Sequence, residues 1–322
     1  MYYVTALGEL LIDFTSINNS EQGNTYFEQN PGGAPANLAA CVSKLGGKTA
    51  FIGKVGNDMF GSFLSEVLIK HGVDTAGLKF SEEHNTTLAF VKCDEKGERT
   101  FTFYRNPGAD TCLSPSEIDF KLIDSSRIFH FGSLSMTDEP ARSATLKALE
   151  YAKSKNLIVS YDPNLRMALW KSSDQALKEI TSVLSMVDIL KVSEEELEFI
   201  TGMGDNEKGS NLLFDKYGIG LILVTRGDKG CYYRFGKITG SKPAFGNIKV
   251  VDTTGAGDAF LGGFLYNIVS KGVYRMEDID KELLENSIVF ANAVAALCTT
   301  KRGAIPAMPD ISEVKNLIDG NI

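Results

Sequence analysis

The sequence predicts an α/β fold: a mostly parallel central sheet with helices on both faces, and a small antiparallel β-lid attached to it. Three observations point there. Short apolar runs such as Leu221-Ile222-Leu223-Val224-Thr225 have the length and composition of strands buried on both faces. Stretches of helical periodicity lie between such runs, and β–α alternation of this kind marks a parallel sheet. One region breaks the rhythm with strict two-residue alternation, the pattern of an antiparallel hairpin.

In chain order, residues 11–17 and 24–29 are read as strands that join that hairpin in the lid. Asn30-Pro31-Gly32-Gly33-Ala34-Pro35-Ala36-Asn37 then opens a helix whose apolar face runs Leu38, Cys41, Val42 and Leu45. Thr86–Lys92 and Arg99–Arg105 alternate about a turn at Asp94–Glu98 and form the hairpin. Ile128–Phe131, Leu157–Tyr161, Asp188–Val192 and Leu221–Thr225 are the buried parallel strands. Between them, 138–154 gathers Ala141, Ala144, Ala148, Leu149 and Ala152 on one helical face, and 172–186 gathers Ala176, Leu177, Ile180, Val183 and Leu184. Residues 194–201 and 205–217 supply two more helices, and Phe260–Leu265 begins another after a glycine-bearing turn. No linker, low-complexity tract or repeat interrupts the chain. The economical reading is one domain over 1–322, its lid formed by inserted segments at about 11–30 and 86–106.

A net charge of −8 without a basic run or stripe argues against nucleic acid or an anionic membrane as partner. No segment has the apolar length needed to span a bilayer, and the N-terminus has no basic n-region or cleavage site. The five scattered cysteines form no C-x-x-C pair and the three histidines stand apart from them, so a zinc or disulfide framework is not expected. A reducing cytoplasm is the expected compartment.

The stretch Asp252-Thr253-Thr254-Gly255-Ala256-Gly257-Asp258 carries the most chemistry. A flexible turn ahead of a helix aims free backbone N–H groups and the positive dipole end at one point, a seat for an anion such as phosphate. A bound phosphate would repel Asp258, so general-base chemistry explains its presence better than phosphate affinity. Taken alone, the same residues also fit an ordinary capped helix.

Ligands of such sheets bind beyond the carboxyl ends of strands, which points to Asp162–Arg166, Ser193–Glu196 and Thr225–Gly230. Each also has a plain reading: Asp, Pro and Asn are ordinary turn residues, acids suit a helix start, and Thr225–Gly230 can be a simple turn. Asp13 fits either a carboxylate gripping sugar hydroxyls or a solvent-facing strand end. Asn37, with Gly32 and Gly33 before it, suits the hydroxyls of a polyol or simply a polar helix start. A P-loop, a G-x-G-x-x-G after the first strand and a G-x-S-x-G elbow are all missing, so phosphoryl transfer here needs a different anion hole.

Together these segments resemble the ribokinase-like (phosphofructokinase-B type) sugar kinases. Gly32-Gly33-Ala34-Pro35-Ala36-Asn37, continuing to Gly53-Lys54-Val55-Gly56-Asn57-Asp58-Met59-Phe60-Gly61, and Asp252–Asp258 match the family's two signatures. Within it the chain is most similar to fructokinases, through Thr100–Asp110, Asp162-Pro163-Asn164-Leu165-Arg166 and Thr299–Pro309.

The resemblance implies a ribokinase-type fold and ATP-dependent transfer of the γ-phosphoryl group to the 6-hydroxyl of D-fructose. It also implies Asp258 as base with Gly255, Ala256 and Gly257 as anion hole, and Asp13, Gly32, Gly33, Asn37, Arg105 and Arg166 around the sugar. Lys191, Thr225, Gly227, Gly230 and Asn292 would lie along ATP. Glu196 would organise Mg²⁺ through water, and Asp252 and Thr254 would form a loop for a monovalent cation such as K⁺. The family's Asn-x-x-Glu appears here as Ser193 through Glu196, which leaves the first position's metal role open. A homodimer joined through the lid is a further family expectation. Two alternatives stand beside fructose phosphorylation. In one, Arg105 and Arg166 bind the carboxylate of 2-keto-3-deoxygluconate; in the other, the chain is a catalytically silent scaffold or regulator.

Overall fold

The computed structural model describes residues 1–19, 23–93 and 99–320, so the turn expected at Asp94–Glu98 lies outside the described residues. The chain begins β1 (Tyr2–Leu7), β2 (Leu11–Asn19), β3 (Thr25–Gly32), α1 (Ala34–Lys44), β4 (Thr49–Gly56), α2 (Met59–Lys70) and β5 (Val73–Ser81). It continues β6 (Leu88–Cys93), β7 (Arg99–Tyr104), α3 (Phe120–Asp124), β8 (Ser126–Gly132), α4 (Ala141–Ser154), β9 (Ile158–Asp162), α5 (Ser173–Ser182) and β10 (Ile189–Ser193). The last third holds α6 (Glu194–Thr201), α7 (Asn206–Tyr217), β11 (Leu221–Thr225), β12 (Cys231–Phe235), β13 (Ile238–Lys242), α8 (Ala256–Ser270), α9 (Lys281–Cys298) and α10 (Ile311–Ile318).

The described strands of the main sheet run in the order β13-β12-β11-β10-β9-β8-β1-β4-β5. Every pairing is parallel except the two hairpin steps β11–β12 and β12–β13. Alternate strand residues enter separate cores, as the two-residue side-chain period requires. Phe129, Val159, Leu190 and Ile222 pack with Ala144, Ala148, Ile180 and Leu213 of α4, α5 and α7. Their neighbours Ile128, Ile158, Ile189 and Leu221 pack on the other face with Leu38 and Val42 of α1 and with Phe264 and Ile288 of α8 and α9. This two-faced burial explains why the strands read as continuous apolar runs.

The histidine inside one such run, His130, is fully buried, with Nδ1 3.2 Å from Ser160 Oγ. Burial pushes its pKa down to about 3, so it is a neutral strand residue. Cys41, Cys231 and Cys298 are likewise buried free thiols. No described helix is long and apolar enough to cross a membrane.

The lid departs from expectation in one respect. Its four strands run β3-β2-β6-β7, and β2 pairs β6 in parallel, with Ile12 opposite Leu88 and Thr15 opposite Val91. It is a mixed sheet rather than an antiparallel one. The chain between β2 and β6 passes through β3, α1, β4, α2 and β5, and a crossover of that length permits the parallel pairing that a short turn forbids. The helix expected over 172–186 also stops at Ser182, with a single 3₁₀ turn at Leu184–Met186 completing the stretch.

Candidate active site

A cavity of about 740 Å³ lies at the carboxyl ends of β1, β9, β10 and β11, with the lid as its far wall. Of the residues singled out from the sequence, Asp13, Gly33, Asn37, Arg166, Lys191, Glu196, Thr225, Asp252, Thr254, Gly255, Gly257 and Asp258 line it. Residues more than 200 positions apart in the chain therefore share one chamber.

Helix α8 starts from Gly255, whose left-handed backbone (φ 77°) favours glycine. A Cβ there would also collide with Ala304. No side chain caps this helix; Gly255, Gly257 and Asp258 of its start line the cavity, which places the positive dipole end there, while Ala256 N donates to Thr253 O at 3.2 Å. Asp252 braces the turn: its Oδ1 accepts from Thr254 N (2.9 Å) and Thr254 Oγ1 (2.7 Å), and its Oδ2 accepts from Gly303 N (3.0 Å). Ala256, within the turn, does not line the cavity.

Asp258 is buried in the first turn of α8, where both of its oxygens are held by side-chain amides. Asn37 Nδ2 donates to Oδ2 at 2.7 Å and Asn164 Nδ2 to Oδ1 at 3.2 Å. Burial, reinforced by the nearby negative charge of Asp162, raises the Asp258 carboxyl to about 7. A buried carboxylate with that pKa is suited to take a proton near neutrality.

Beneath the turn lies a buried ion pair, Lys191 Nζ to Asp162 Oδ2 at 2.9 Å. An added Cβ on Gly257 would sit 2.8 Å from that ammonium, so Lys191 places its charge directly against the anion hole. Burial opposes the charge of Lys191, but Asp162, Glu196 and Asp258 together outweigh it and raise the pKa. Glu196 forms a capping box with Ser193, its Oε2 accepting from Ser193 N (2.8 Å) while its Oε1 accepts from Leu165 N (2.7 Å). Its own pKa is raised, chiefly by burial. Ser193 thus serves as a helix cap. Among the described residues no three His, Cys, Asp or Glu side chains converge to ligate a metal.

At the lid end, Asp13 stands opposite Asn30 across β2 and β3. Gly32 leaves space that its own Cβ would take from the Asp13 carboxylate, and a Cβ at Gly33 would strike the carbonyl of Glu9. Both glycines are therefore required by close approach.

Some expected residues lie away from the cavity. Arg105 is the clearest: its Nε donates to Asp110 (2.8 Å), Nη1 to Thr137 Oγ1 (2.9 Å) and Nη2 to Leu134 O (2.9 Å). Buried and spent on these partners, it does not reach the chamber where a substrate contact was expected. Gly227 and Gly230 occupy the turn between β11 and β12, where a Cβ on Gly230 would strike Lys242 O. Asn292 on α9 donates to Pro243 O at 2.9 Å.

Two polar cavity residues that hold the site together, Glu9 and Asn164, were not expected there from the sequence. Glu9 follows β1, is buried, and accepts from Ala34 N at 2.8 Å, tying the start of α1 to the sheet. Attention to strand ends had covered β9, β10 and β11, and extending it to β1 would have found Glu9. Asn164 lay inside a segment already noted, but as a turn residue.

An anion hole, a base and a sugar-sized chamber under a β-lid define a small-molecule phosphotransferase with an alcohol acceptor. The model of the pfkB family carbohydrate kinases matches residues 1–311, and the chain belongs to that family. It is 47% identical over 318 residues to fructokinase-1 of Zea mays, covering 98% of this chain and 97% of that one. The fructokinase of Xylella fastidiosa, solved with bound ATP, superposes with a TM-score of 0.91 at 34% identity, covering 100% of this chain and 99% of that one. A double mutant of the Vibrio cholerae O395 fructokinase, solved with fructose, ADP and potassium ion bound, gives 0.86 at 33% identity over 97% and 96% of the two chains. The architecture is the ribokinase-like fold.

Proposed function

We propose that this chain is a fructokinase that transfers the γ-phosphoryl group of ATP to the 6-hydroxyl of D-fructose, giving fructose 6-phosphate. The observation that carries the reading is the buried Asp258 carboxylate, set beside the uncapped start of α8 at the floor of the lid-covered chamber. In the reaction the sugar oxygen forms a bond to the γ-phosphorus as the bond to ADP breaks, and the hydroxyl proton passes to Asp258. The N–H groups of Gly255 and Gly257 and the Lys191 ammonium hold the charge that develops on the phosphoryl oxygens. Asp13, Gly33 and Asn37 hold the sugar's other hydroxyls, with Arg166 at the rim. Such a site works mainly by positioning and electrostatics.

ATP lies along Lys191, Thr225 and the Gly227–Gly230 turn toward Asn292. Glu196, through water, would hold a Mg²⁺ ion on the nucleotide phosphates. When bound, it neutralises phosphate charge. Asp252, Thr254 and the backbone at Gly303 supply oxygens for a monovalent cation such as K⁺ behind the anion hole.

Arg105 is spent on Asp110, so of the two arginines that would bind a sugar acid only Arg166 lines the chamber. That weakens the 2-keto-3-deoxygluconate alternative. An ATP-consumption assay against fructose, 2-keto-3-deoxygluconate, ribose and adenosine, with and without K⁺, tests the assignment. Fructose is expected to give the highest kcat/KM; a value for the sugar acid tenfold or more above it contradicts the reading.

The chain acts as a homodimer joined through the lid, whose Tyr26, Phe27 and Tyr104 are exposed. Stacked and edge-on contacts of Phe14, Phe27 and Tyr104 around Phe90 make that sheet a continuous aromatic surface.

A further inference from the structure

The Asp162-Pro163-Asn164 turn has a feature that neither a plain turn nor the proposed reaction requires. Asn164 has a left-handed backbone (φ 46°), and its side chain reaches 94 residues along the chain to Asp258 Oδ1. The turn is fixed on both sides: Asn164 N donates to Asp162 Oδ1 at 3.2 Å and Leu165 N to Glu196 Oε1 at 2.7 Å. For the backbone alone, glycine would serve at least as well, because it takes φ > 0 without strain.

The other amide on Asp258 belongs to Asn37, whose Oδ1 is buried without a hydrogen-bond partner. In the proposed reaction that free acceptor is where a sugar hydroxyl would land, so Asn37 serves the substrate as well as Asp258 Oδ2, while Asn164 holds Oδ1. From these contacts, and resting on the reading of Asp258 as general base, we infer that Asn164 is a positioning residue for Asp258. Its amide anchors one carboxylate oxygen, so that the other stays aimed at the sugar hydroxyl and ionised against its surroundings.

Those surroundings are mixed. Asp162 and Arg166 face Asp258 from β9 and its exit, Lys191 from β10, and the thiols Cys41 and Cys298 from α1 and α9. The donor on Asn164 offsets the repulsion of Asp162, and its removal makes the base harder to ionise.

Asn164→Gly separates this role from that of a turn, since it keeps the left-handed backbone and deletes only the amide. The variant is expected to fold and bind ATP normally. Its kcat should fall by about tenfold to a hundredfold, the scale of a misplaced reacting group. Its KM for fructose should move little, and the acid limb of kcat/KM should shift to higher pH. Asn164→Asp, which also tolerates the left-handed backbone but places a like charge on Asp258, should shift that limb further. Asp258→Asn is measured alongside. If Asp258→Asn is inactive while Asn164→Gly keeps kcat within about twofold and an unmoved acid limb, Asn164 is only a turn residue and the inference is overturned. If Asn164→Gly fails to fold, an unmoved limb in Asn164→Asp overturns it equally. Near-normal turnover in Asp258→Asn would instead overturn the assignment of the base on which the inference rests.

Discussion

At the scale of single residues, the chemistry depends on where charge is left without water. Asp258 and Asp162 are both buried, but Asp162 has an ammonium at 2.9 Å while Asp258 has only amides. Burial and the charge of Asp162 push Asp258 up to about 7. The sign for activity follows directly. A base works only when ionised, so kcat/KM for fructose should fall about tenfold per pH unit below about pH 7 and level off above it. A profile flat from about pH 5.5 to about pH 8 would contradict this assignment. Burial also raises Glu9 to about 7, which offers a second source for such a limb. Glu9→Gln keeps the side chain's shape but cannot ionise, and the limb should persist in it. The sequence showed Asp258 clearly because its glycine turn is local. The engagement of Arg105 was not legible, because nothing in its own segment shows that Asp110, Thr137 and Leu134 will partner its nitrogens.

At the scale of elements, strand ends and helix starts do the assembling. The turn ahead of α8 depends on Asp252, whose two oxygens tie Thr254 to Gly303. Asp252→Ala should abolish any activation by K⁺ and lower kcat at least tenfold, while the fold, held by the two cores, remains; activity assays over a K⁺ titration check it. Unchanged K⁺ dependence would remove Asp252 from a cation site. The strands buried on both faces were legible as apolar runs, notably β8, β9, β10 and β11. The edge strands β12 and β13 join the sheet through hairpin pairing, which local pattern does not record. The mixed character of the lid was hidden for the same reason. The contact of β2 with β6 joins segments separated by five other described elements, and local alternation records only the hairpin β6–β7.

At the scale of the whole molecule, the main sheet is a platform and the lid completes the chamber. Leu11, Asp13, Val91 and Phe103 form its upper wall, so substrate must enter beside the lid or as it shifts. The outer aromatics of the same sheet leave a surface that a partner copy would cover. Tyr104 is 63% exposed. Tyr104→Glu should convert a dimer to a monomer in sedimentation velocity without unfolding the chain, whereas a parent that sediments as a monomer would end the proposal. The net charge of −8 is compatible with an anionic nucleotide because Lys191 and the start of α8 concentrate positive potential at one point.

The central claim is that Asp258 accepts the sugar proton at the anion hole. It is tested most directly by kcat of Asp258→Asn, measured with fructose and ATP on protein shown by calorimetry to fold and bind ATP. Loss of about three or more decades of kcat with ATP affinity retained is the predicted result. Turnover within a few-fold of the parent would contradict it.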